Sequence, residues 1–277
     1  MVKTVLITGA AKGIGLCCAR GLKARGYRVI ATARRPEDLQ FLRQEGLEAL
    51  PLDLNDSTSI QQFMTQLTTL TGNQLYALVN NAGYGQIGAV EDLSRSELRN
   101  QFETNVFGTL ELTNHIIPIL RKQGYGRIIM LSSVLGFVSM PYRGAYNASK
   151  YALEGLTDAL RQELSTTGIQ VSLIEPGPIE SQFRTQAYEL FLKTMANKSS
   201  PHHDVYANML AGFQQLKRPP FMQSPEAVLK KLIHALESKQ AKIRYYVTTP
   251  TYILAFLKWL LPARAMDWIL RTIAAGE

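Results

Sequence analysis

The sequence predicts an α/β protein, with a doubly wound parallel sheet of about seven strands and helices on both faces. Three observations lead to this fold class. Apolar runs of strand length alternate with helix-length segments along the chain. The runs are apolar throughout, which is typical of strands that helices cover on both faces. The length of 277 residues, 46% of them hydrophobic, is enough for one large core.

The candidate strands follow one another in regular alternation with helical patterns. They are Thr4–Thr8, Arg28–Ala33, Ala49–Leu52, Leu75–Asn80, Arg127–Ser132, Gln170–Glu175 and Arg244–Thr248. This alternation predicts a doubly wound sheet. We expect a single domain over 1–277, with a cofactor-binding and catalytic core over 1–180, a substrate loop over 180–224 and a helical extension over 249–277.

Charge and composition exclude several classes of protein. The formal net charge of +8 is spread along the chain, without a basic stripe interleaved with aromatic residues. An anionic cofactor or a membrane surface is therefore favoured over nucleic acid. Cys17 and Cys18 are adjacent on one predicted helix, so no disulfide framework is expected. Without a leader pattern or a membrane-spanning apolar segment, we expect a cytoplasmic protein.

A glycine-rich turn joins the first strand to the first helix. It reads Gly9-Ala10-Ala11-Lys12-Gly13-Ile14-Gly15. Glycines let the backbone turn sharply and approach a pyrophosphate, whose charge is met by free N–H groups at the helix N-terminus. The spacing G-x-x-x-G-x-G differs from the G-x-G-x-x-G fingerprint. A tight turn without a ligand needs fewer glycines, so the pattern predicts dinucleotide binding.

The end of the second strand indicates which dinucleotide binds. An NAD-preferring site places a carboxylate there for the ribose 2′-hydroxyl. This chain has Arg34 and Arg35 instead, with no acid before Glu37. Arg34 can hold a 2′-phosphate and Lys12 can add a second positive charge, which predicts NADP(H). The alternative is a pair of solvated arginines at a strand end.

Two other strand ends carry candidate cofactor contacts. Asp53 follows the third strand, where it accepts a hydrogen bond from the adenine or forms an Asx turn into the next helix. The fourth strand ends in Asn80-Asn81-Ala82-Gly83, whose small residues let a ribose lie close to the backbone. A bare turn is the alternative for this stretch.

Tyr146 and Lys150 form a candidate catalytic pair. Their i, i+4 spacing puts both on one helix face, where the ammonium favours the ionised phenol. Ser133 lies thirteen residues before the tyrosine and has no base in its motif, so it is interpreted as a hydrogen-bond donor to a carbonyl oxygen. Asn105 falls on the inward stripe of the helix that begins after Ser94. Its amide needs backbone carbonyls or a water as partners.

In order along residues 1 to about 180, these motifs resemble the short-chain dehydrogenase/reductase family. The matching residues are Thr8-Gly-x-x-x-Gly-x-Gly15, Asp53, Asn80-Asn-Ala-Gly83, Asn105, Ser133, Tyr146-x-x-x-Lys150 and Pro176-Gly177. The resemblance implies a Rossmann-type fold with Tyr146 as general acid/base. It implies that Lys150 lowers the tyrosine's pKa and holds the nicotinamide ribose. Ser133 would orient the carbonyl, and Asn105 would anchor a relay water.

The resemblance also implies a nicotinamide-binding loop that begins at Pro176. This chain has Ser181 where the family usually has threonine, so a hydroxyl is kept. Motifs and resemblance together give the expected cofactor-binding residues Gly9, Lys12, Gly13, Ile14, Gly15, Arg34, Asp53, Leu54, Asn81, Ala82, Gly83, Tyr146, Lys150, Pro176, Gly177, Ile179 and Ser181. No metal site is expected.

Aromatic and methionine side chains recur among scattered charges between 180 and 224. They are Phe183, Tyr188, Phe191, Met195, Tyr206, Met209, Phe213 and Phe221. Such side chains either line an adaptable apolar pocket or pack a lid onto the core. Both interpretations stay open, and the first suggests a lipophilic substrate.

The chain ends in an apolar extension over 252–261 and 266–270. It could cover the substrate mouth, join a neighbouring subunit, or lie in a membrane interface with Lys258, Arg264 and Arg271 at the headgroups. We expect the first two before the third. The preceding segment 242–247 loosely resembles the retinol and hydroxysteroid dehydrogenase branch, including its bacterial relatives.

The predicted function is NADP(H)-dependent interconversion of an aldehyde or ketone and an alcohol on an apolar substrate. We expect a homo-oligomer that binds no nucleic acid. A 3-oxoacyl thioester reductase is one alternative. A catalytically silent NADP(H)-binding sensor or scaffold on the same fold is the other.

Overall fold

The computed structural model of the protein describes residues 2–196, 198–214 and 220–275. Within them one seven-stranded parallel sheet has the order β3-β2-β1-β4-β5-β6-β7. The strands are β1 Thr4–Ile7, β2 Arg28–Ala33, β3 Glu48–Pro51, β4 Ala77–Asn80, β5 Gly126–Leu131, β6 Ile169–Glu175 and β7 Arg244–Tyr246. All seven predicted strands are confirmed, with ends shifted by at most two residues.

Helices follow the strands on both faces of the sheet. In the described ranges they are α1 Gly13–Ala24, α2 Pro36–Gln44, α3 Ser57–Thr71, α4 Arg95–Phe102, α5 Thr109–Gln123, α6 Gly144–Glu163, α7 Phe183–Thr194, α8 His203–Gln214, α9 Glu226–Glu237, α10 Thr249–Leu260 and α11 Ala263–Ala275. The predicted doubly wound α/β architecture is confirmed.

Strand β1 shows how the core is divided between the two faces. Val5 and Ile7 pack with α1, α2 and α9 on one face, whereas Leu6 packs with α3, α5 and α6 on the other. Alternate residues of a strand point to opposite faces, so a strand that is apolar at every position fills two cores at once. The strand segments of the sequence are apolar without interruption because helices cover both faces of the sheet.

The strand order reverses between β1 and β4. From β1 the chain adds β2 and then β3 on one side, and it then returns to place β4 on the other side of β1. At such a point the loops after the two strands lead away in opposite directions and leave a crevice at the carboxyl ends. The glycine-rich turn and the Asn80-Asn81-Ala82-Gly83 stretch lie on its two sides.

The helix predicted to carry Asn105 is interrupted. A capping box of Ser94 and Glu97 starts α4, but a π-helical segment, Glu103–Gly108, separates α4 from α5. A Cβ atom on Gly108 would lie 1.8 Å from the carbonyl oxygen of Leu54, so the backbone passes very close to the loop after β3. Such a π segment turns the side chains before it relative to those after it.

Helices α7 and α8 form a cover with a small core of its own. Phe191, Met195 and Tyr206 are buried there against the loop that contains Ile87. The Tyr206 hydroxyl donates a hydrogen bond to Asp92 at the base of this cover. These side chains thus follow the packing interpretation. Phe221 is exposed, and the Phe213 side chain lies outside the described residues.

Helices α10 and α11 form the C-terminal extension. Leu254 of α10 and both Met266 and Leu270 of α11 pack on Val138, in the loop after β5. In the part of the chain that the structure describes, no helix is long and apolar enough to cross a membrane.

Candidate active site

A cleft of about 1000 Å³ lies at the carboxyl ends of the strands. Each of the first six strands contributes to it at or just after its last residue. The contributing residues include Thr8, Ala33, Leu52, Asn81, Leu131 and Pro176. The volume is at the upper end of the range found for small-molecule sites, which fits a ligand of dinucleotide size.

The glycine-rich turn forms one wall of the cleft. Gly9 has φ of +62° and Gly13 has φ of +52°, a region that disfavours side chains. A Cβ atom on Gly9 would lie 2.9 Å from the Cα of Ala82 on the opposite wall. Helix α1 begins at Gly13, so its first backbone N–H groups have no partners within the helix.

Thr8 ties the two walls together. Its hydroxyl oxygen accepts hydrogen bonds from the backbone N–H groups of Asn81 and Ala82, each at 3.0 Å. The Asn81 amide donates to the carbonyl oxygens of Thr8 and Gly9 at 2.8 and 3.0 Å. A Cβ atom on Gly15 would lie 2.5 Å from this amide nitrogen. The third glycine of the motif therefore makes room for the anchor of the turn.

A basic group stands where an NAD site would have an acid. Lys12 and Arg34 line the cleft, and the Arg34 side chain is 64% exposed, with Asp53 3.9 Å away. The neighbouring Arg35 is engaged elsewhere, since its guanidinium binds Asp38 at 2.8 and 3.0 Å. Arg34 is therefore the arginine whose donors are available to a ligand.

Asp53 forms the Asx turn that is one of the two interpretations of this residue. Its Oδ1 accepts from the N–H of Asn55 at 3.0 Å, which is an Asx turn, and the residue lines the cleft as well. Leu54 follows as a buried residue of the same wall. The contact of Asp53 with an adenine stays a prediction.

These features fit a bound dinucleotide phosphate. The glycines leave space that side chains would fill, and the N-terminus of α1 offers unpaired donors to a pyrophosphate. Lys12 and Arg34 provide positive charge for a further phosphate.

Tyr146 and Ser133 meet at the inner end of the cleft. Both side chains come from the segment after β5, Ser133 just beyond the strand and Tyr146 in the first turn of α6, and the Ser133 hydroxyl favours the ionised phenol. Tyr146 is 8% exposed, and its ring packs at a tilt against Phe183 of α7 with 5.4 Å between ring centroids. Burial raises the pKa of Tyr146 to about 12, with the Ser133 hydrogen bond acting in the opposite direction.

Lys150 is buried one turn further along α6. Its ammonium donates to the carbonyl oxygen of Leu131 at 2.7 Å and lies 5.8 Å from the centre of the Tyr146 ring. Burial lowers the pKa of Lys150 to about 8, against the opposing effect of Glu154. Burial thus determines the direction of the Tyr146 shift in the protein alone, and the lowering of this pKa by Lys150 stays a prediction.

Asn105 joins this group from the π-helical segment. Its amide binds both backbone groups of Tyr84, at 3.1 and 2.9 Å, and donates to the Ser149 hydroxyl at 3.1 Å. A Cβ atom on Gly83 would lie 3.2 Å from the Asn105 Oδ1 and 3.7 Å from the Lys150 ammonium. Gly83 therefore lets these two side chains approach each other.

The loop after β6 is divided between the cleft and the interior. Pro176 and Ser181 line the cleft, and a Cβ atom on Gly13 would lie 3.0 Å from the Ser181 Cβ. Gly177 faces away, since its Cβ position is filled by the hydroxyl groups of Thr248 and Thr251. Ile179 is buried in the core beside α1. The side-chain positions of Gly177 and Ile179 thus face the interior, and contact of these four residues with the cofactor stays a prediction.

The sequence left one feature of the site open and gave no indication of a second. Helix α7 supplies the outer wall of the cleft with Phe183, Gln186 and Leu190, so one residue of the aromatic loop does reach the catalytic tyrosine. The aromatic content of the loop was the only signal for it.

The second feature is a charged cluster directly behind the catalytic group. Arg244 of β7 binds Glu154, Glu175 Oε1 at 2.6 Å and Asp158 at 2.6 Å. Glu154 also accepts from the Ser132 hydroxyl at 2.6 Å. Burial and the nearby Glu154 carboxylate raise the pKa of Glu175 above its usual range, while Arg244 acts against them.

Fold and site together define a class: an α/β protein with a dinucleotide cleft, a buried tyrosine and lysine at its inner end and a serine beside them. The sequence profile of the family described as short chain dehydrogenase matches residues 3–190. The chain belongs to this family of oxidoreductases, whose members bind nicotinamide cofactors.

Relatives match over nearly the whole chain. The uncharacterized oxidoreductase YbbO of Escherichia coli strain K12 is 42% identical over 98% of this chain and 95% of its own length. The NADPH-dependent 3-dehydrocapnine reductase of Ornithobacterium rhinotracheale is 29% identical over 97% and 96%. Retinol dehydrogenase 8 of Bos taurus is 31% identical over 95% and 87%.

Solved structures agree with the fold. A short-chain dehydrogenase from Streptomyces avermitilis superimposes with a TM-score of 0.78 and 29% identity, covering 100% of this chain and 98% of the other. A variant of the actinorhodin polyketide ketoreductase with NADPH gives a TM-score of 0.73 and 27% identity over 89% and 95%.

Proposed function

We propose that the protein is an NADP(H)-dependent oxidoreductase that interconverts an aldehyde or ketone and an alcohol on an apolar substrate. The observation that carries this proposal is the pair of buried side chains Tyr146 and Lys150 at the inner end of a dinucleotide cleft, with the Ser133 hydroxyl beside the phenol. We further propose that residues 1–277 act as one domain.

NADP(H) is supported by the basic group of Lys12 and Arg34. A guanidinium can bind a 2′-phosphate through two parallel hydrogen bonds. A relative is named as NADPH-dependent and a similar solved structure contains NADPH, which agrees with this choice. When bound, the dinucleotide donates or accepts the hydride, and its oxidised ring carries a positive charge.

Tyr146 acts as general acid and base. With a pKa of about 12 in the unliganded protein, its phenol holds a proton at neutral pH. It can give this proton to the oxygen of a carbonyl under reduction, because an alkoxide is a stronger base than a phenolate. Ser133 donates a hydrogen bond to the same oxygen and so orients the carbonyl toward the tyrosine.

Lys150 and Asn105 support the proton transfer. The Lys150 ammonium provides positive charge next to the place where the phenolate forms, and it reaches the nicotinamide ribose from the same position. Its pKa of about 8 keeps much of this charge at neutral pH. Asn105, held by the Tyr84 backbone, is the expected anchor of a water that returns a proton to Tyr146.

The substrate pocket is apolar where it meets the tyrosine. Phe183 packs on Tyr146, and Leu190 lines the same wall. The relatives named for retinol and for 3-ketodihydrosphingosine indicate alcohol and ketone chemistry at the same kind of site. A hydrophobic carbonyl compound is therefore the proposed substrate class.

The test is reduction of a panel of aldehydes and ketones of increasing chain length by purified protein with NADPH or NADH. We expect turnover with NADPH, and kcat/KM that rises with apolar chain length. Turnover confined to 3-oxoacyl thioesters would identify the thioester reductase. Tight NADPH binding without turnover of any compound would contradict an enzyme and favour the sensor or scaffold.

A pair of variants tests the preference for NADPH over NADH. Arg34→Ala should raise the KM for NADPH by about tenfold or more, through loss of a charge-assisted hydrogen bond, and leave the KM for NADH unchanged. Arg35→Ala is the matched control, because Asp38 already binds its guanidinium. Equal effects of both variants would contradict the assignment of the 2′-phosphate to Arg34.

A homo-oligomer is part of the proposal. Leu98, Phe107 and Leu156 are exposed apolar side chains of the connected region formed by α4, the π-helical segment and α6. Apolar side chains of this kind suit a contact between subunits. Light scattering of the purified protein gives the number of subunits, and a monomer at all concentrations would contradict this part.

A further inference from the structure

Helix α10 presents an apolar face to solvent. Its exposed side chains, which we call the C-terminal apolar surface, are Tyr252 (49% exposed), Ile253 (50%), Phe256 (58%), Trp259 (81%) and Leu260 (57%). At about 100° per residue these positions fall within one stripe of roughly 120°. A surface helix of a globular protein normally has polar residues on this side. The exposed face therefore calls for a partner.

The opposite face of α10 already has its partners. Leu254 packs with α11 and Val138, and the Lys258 ammonium donates to the carbonyl oxygen of Phe137. The extension is thus fixed to the loop after Ser133 by its inner side. The C-terminal apolar surface is separate from this inner side, and a lid over the substrate mouth stays a prediction.

The charges next to this surface are mainly positive. Helices α10 and α11 carry Lys258, Arg264 and Arg271 and a single acid, Asp267. Arg264 and Arg271 are exposed one turn on either side of Trp268, which is itself 67% exposed. Lys231 of α9 adds a further amine, 3.2 Å from the Tyr252 hydroxyl.

From this combination we infer that the C-terminal apolar surface binds the interface of a membrane that contains anionic lipids. Tryptophan and tyrosine prefer the headgroup region, and arginine and lysine bind its phosphates. Helix α10, with 12 residues, is about 18 Å long and lies along the interface with its apolar side down. The partner is an anionic membrane because the residues beside the apolar surface are mainly positive.

A second copy of the chain is a poorer match for the same surface. In a symmetric contact the same patch of both subunits meets, so Arg264 and Arg271 would face the like charges of the other copy. One acid in this segment cannot balance them. An anionic lipid surface pairs with both exposed arginines.

The surface lies close to the catalytic loop. The Tyr252 ring contacts the Tyr246 ring at 5.4 Å, and Tyr246 contacts Phe137 at 5.8 Å between centroids. Phe137 is four residues beyond Ser133. Membrane binding at α10 therefore places the catalytic side of the fold next to the lipid in which apolar carbonyl compounds dissolve.

The two tryptophans of the chain, Trp259 and Trp268, are both in this extension, so tryptophan fluorescence reports on it alone. We expect a blue shift and co-sedimentation when the full-length protein meets vesicles of phosphatidylcholine with phosphatidylglycerol. Both signals should weaken with phosphatidylcholine alone, which offers no anionic lipid. They should also weaken at high salt, because salt screens the attraction between the basic residues and the anionic lipids. Absence of binding to the anionic vesicles would overturn the inference.

Variants separate this surface from other causes. Phe256→Ser with Ile253→Ser should lower the vesicle partition coefficient by more than about tenfold, because the apolar area that enters the interface is lost. Tyr125→Ser is the matched control, with an aromatic side chain 53% exposed in the turn before β5. It should bind vesicles like the unmodified protein. Turnover of a short, water-soluble aldehyde should be equal in all three proteins.

Two outcomes would contradict the inference. Equal partition of the double variant and the unmodified protein would show that lipid binding uses another surface. A double variant that loses subunits in light scattering, with unchanged vesicle binding, would assign the C-terminal apolar surface to a second copy of the chain.

Discussion

Successive turns of helix α6 carry two groups of ionisable side chains, whose charges are compensated in different ways. In the first, the Lys150 ammonium binds a neutral carbonyl oxygen, and its pKa is lowered. In the second, Glu154 and Asp158 are bound by Arg244, which also holds Glu175. The first group keeps charge that a ligand can use, whereas the second satisfies its charges inside the protein.

This difference indicates that Lys150 serves the reaction, whereas the cluster around Arg244 stabilises the fold. A buried charge without an opposite charge costs stability, and such groups concentrate at functional sites. Arg244 and the carboxylates that it binds connect the end of β5 with β6, β7 and α6. These elements position Ser133 and Lys150. Changes in the first group should therefore affect turnover, and changes in the second should affect the free energy of unfolding.

Between the two groups of α6, the larger effect should follow Lys150→Met. The variant removes the positive charge next to the forming phenolate, and we expect kcat/KM to fall about 10²- to 10³-fold. Its free energy of unfolding at neutral pH should be equal or higher, since the buried ammonium is replaced by an apolar chain of similar length. Initial rates and urea unfolding measure both quantities. Unfolding of the variant under native conditions would break the comparison.

Arg244→Gln should give the next largest effect. It leaves Glu154 and Glu175 buried without their cation, and the free energy of unfolding should fall by about 3 kcal/mol. We expect the lower end of the usual range because 30% of the Arg244 side chain stays exposed. Arg161→Gln, which removes a partly exposed partner of Asp158, should cost less than about 1 kcal/mol. Equal losses would contradict a structural role for the cluster.

The pH dependence of stability tests the first group in another way. The pKa of Lys150 is about 8 in the folded protein and 10.5 ordinarily, so between these pH values the unfolded chain binds more protons. Stability contributed by this group therefore rises with pH through that window, by up to about 3 kcal/mol. Urea unfolding of the unmodified protein and Lys150→Met should diverge accordingly. Parallel pH curves would show that Lys150 is solvated.

The smallest effect should follow Glu175→Gln. The pKa of Glu175 is raised, so the folded state binds an extra proton above the usual pKa, and stability from this group is lost as pH rises through the raised value. At neutral pH the amide should replace the protonated carboxyl for less than about 1 kcal/mol. Thermal unfolding measures the change. A loss as large as that of Arg244→Gln would mean that Glu175 is ionised.

The sequence was sufficient where the signal is local. Each strand is an apolar run of the sequence. The glycine-rich turn with Lys12, the strand end with Arg34, and the pair of Tyr146 and Lys150 are each short motifs, and the structure brings them to one cleft. The fold class followed from the strands because an apolar residue at every position requires a core on both faces.

The remainder depends on contacts between distant segments. Arg244 binds carboxylates 90 and 69 residues away, and nothing near it in the chain indicates this. The π-helical segment at Asn105 arises where Gly108 meets the loop after β3. The raised pKa of Tyr146 results from burial beneath α7, a helix in the least patterned part of the sequence.

The central claim is that Tyr146 gives its proton to the substrate oxygen. It is tested most directly by kcat for NADPH-dependent aldehyde reduction in Tyr146→Phe, with Tyr151→Phe as control from the exposed side of the same helix. We expect a loss of about 10³-fold or more in the first variant and an unchanged kcat in the second. Full activity of Tyr146→Phe would contradict the account.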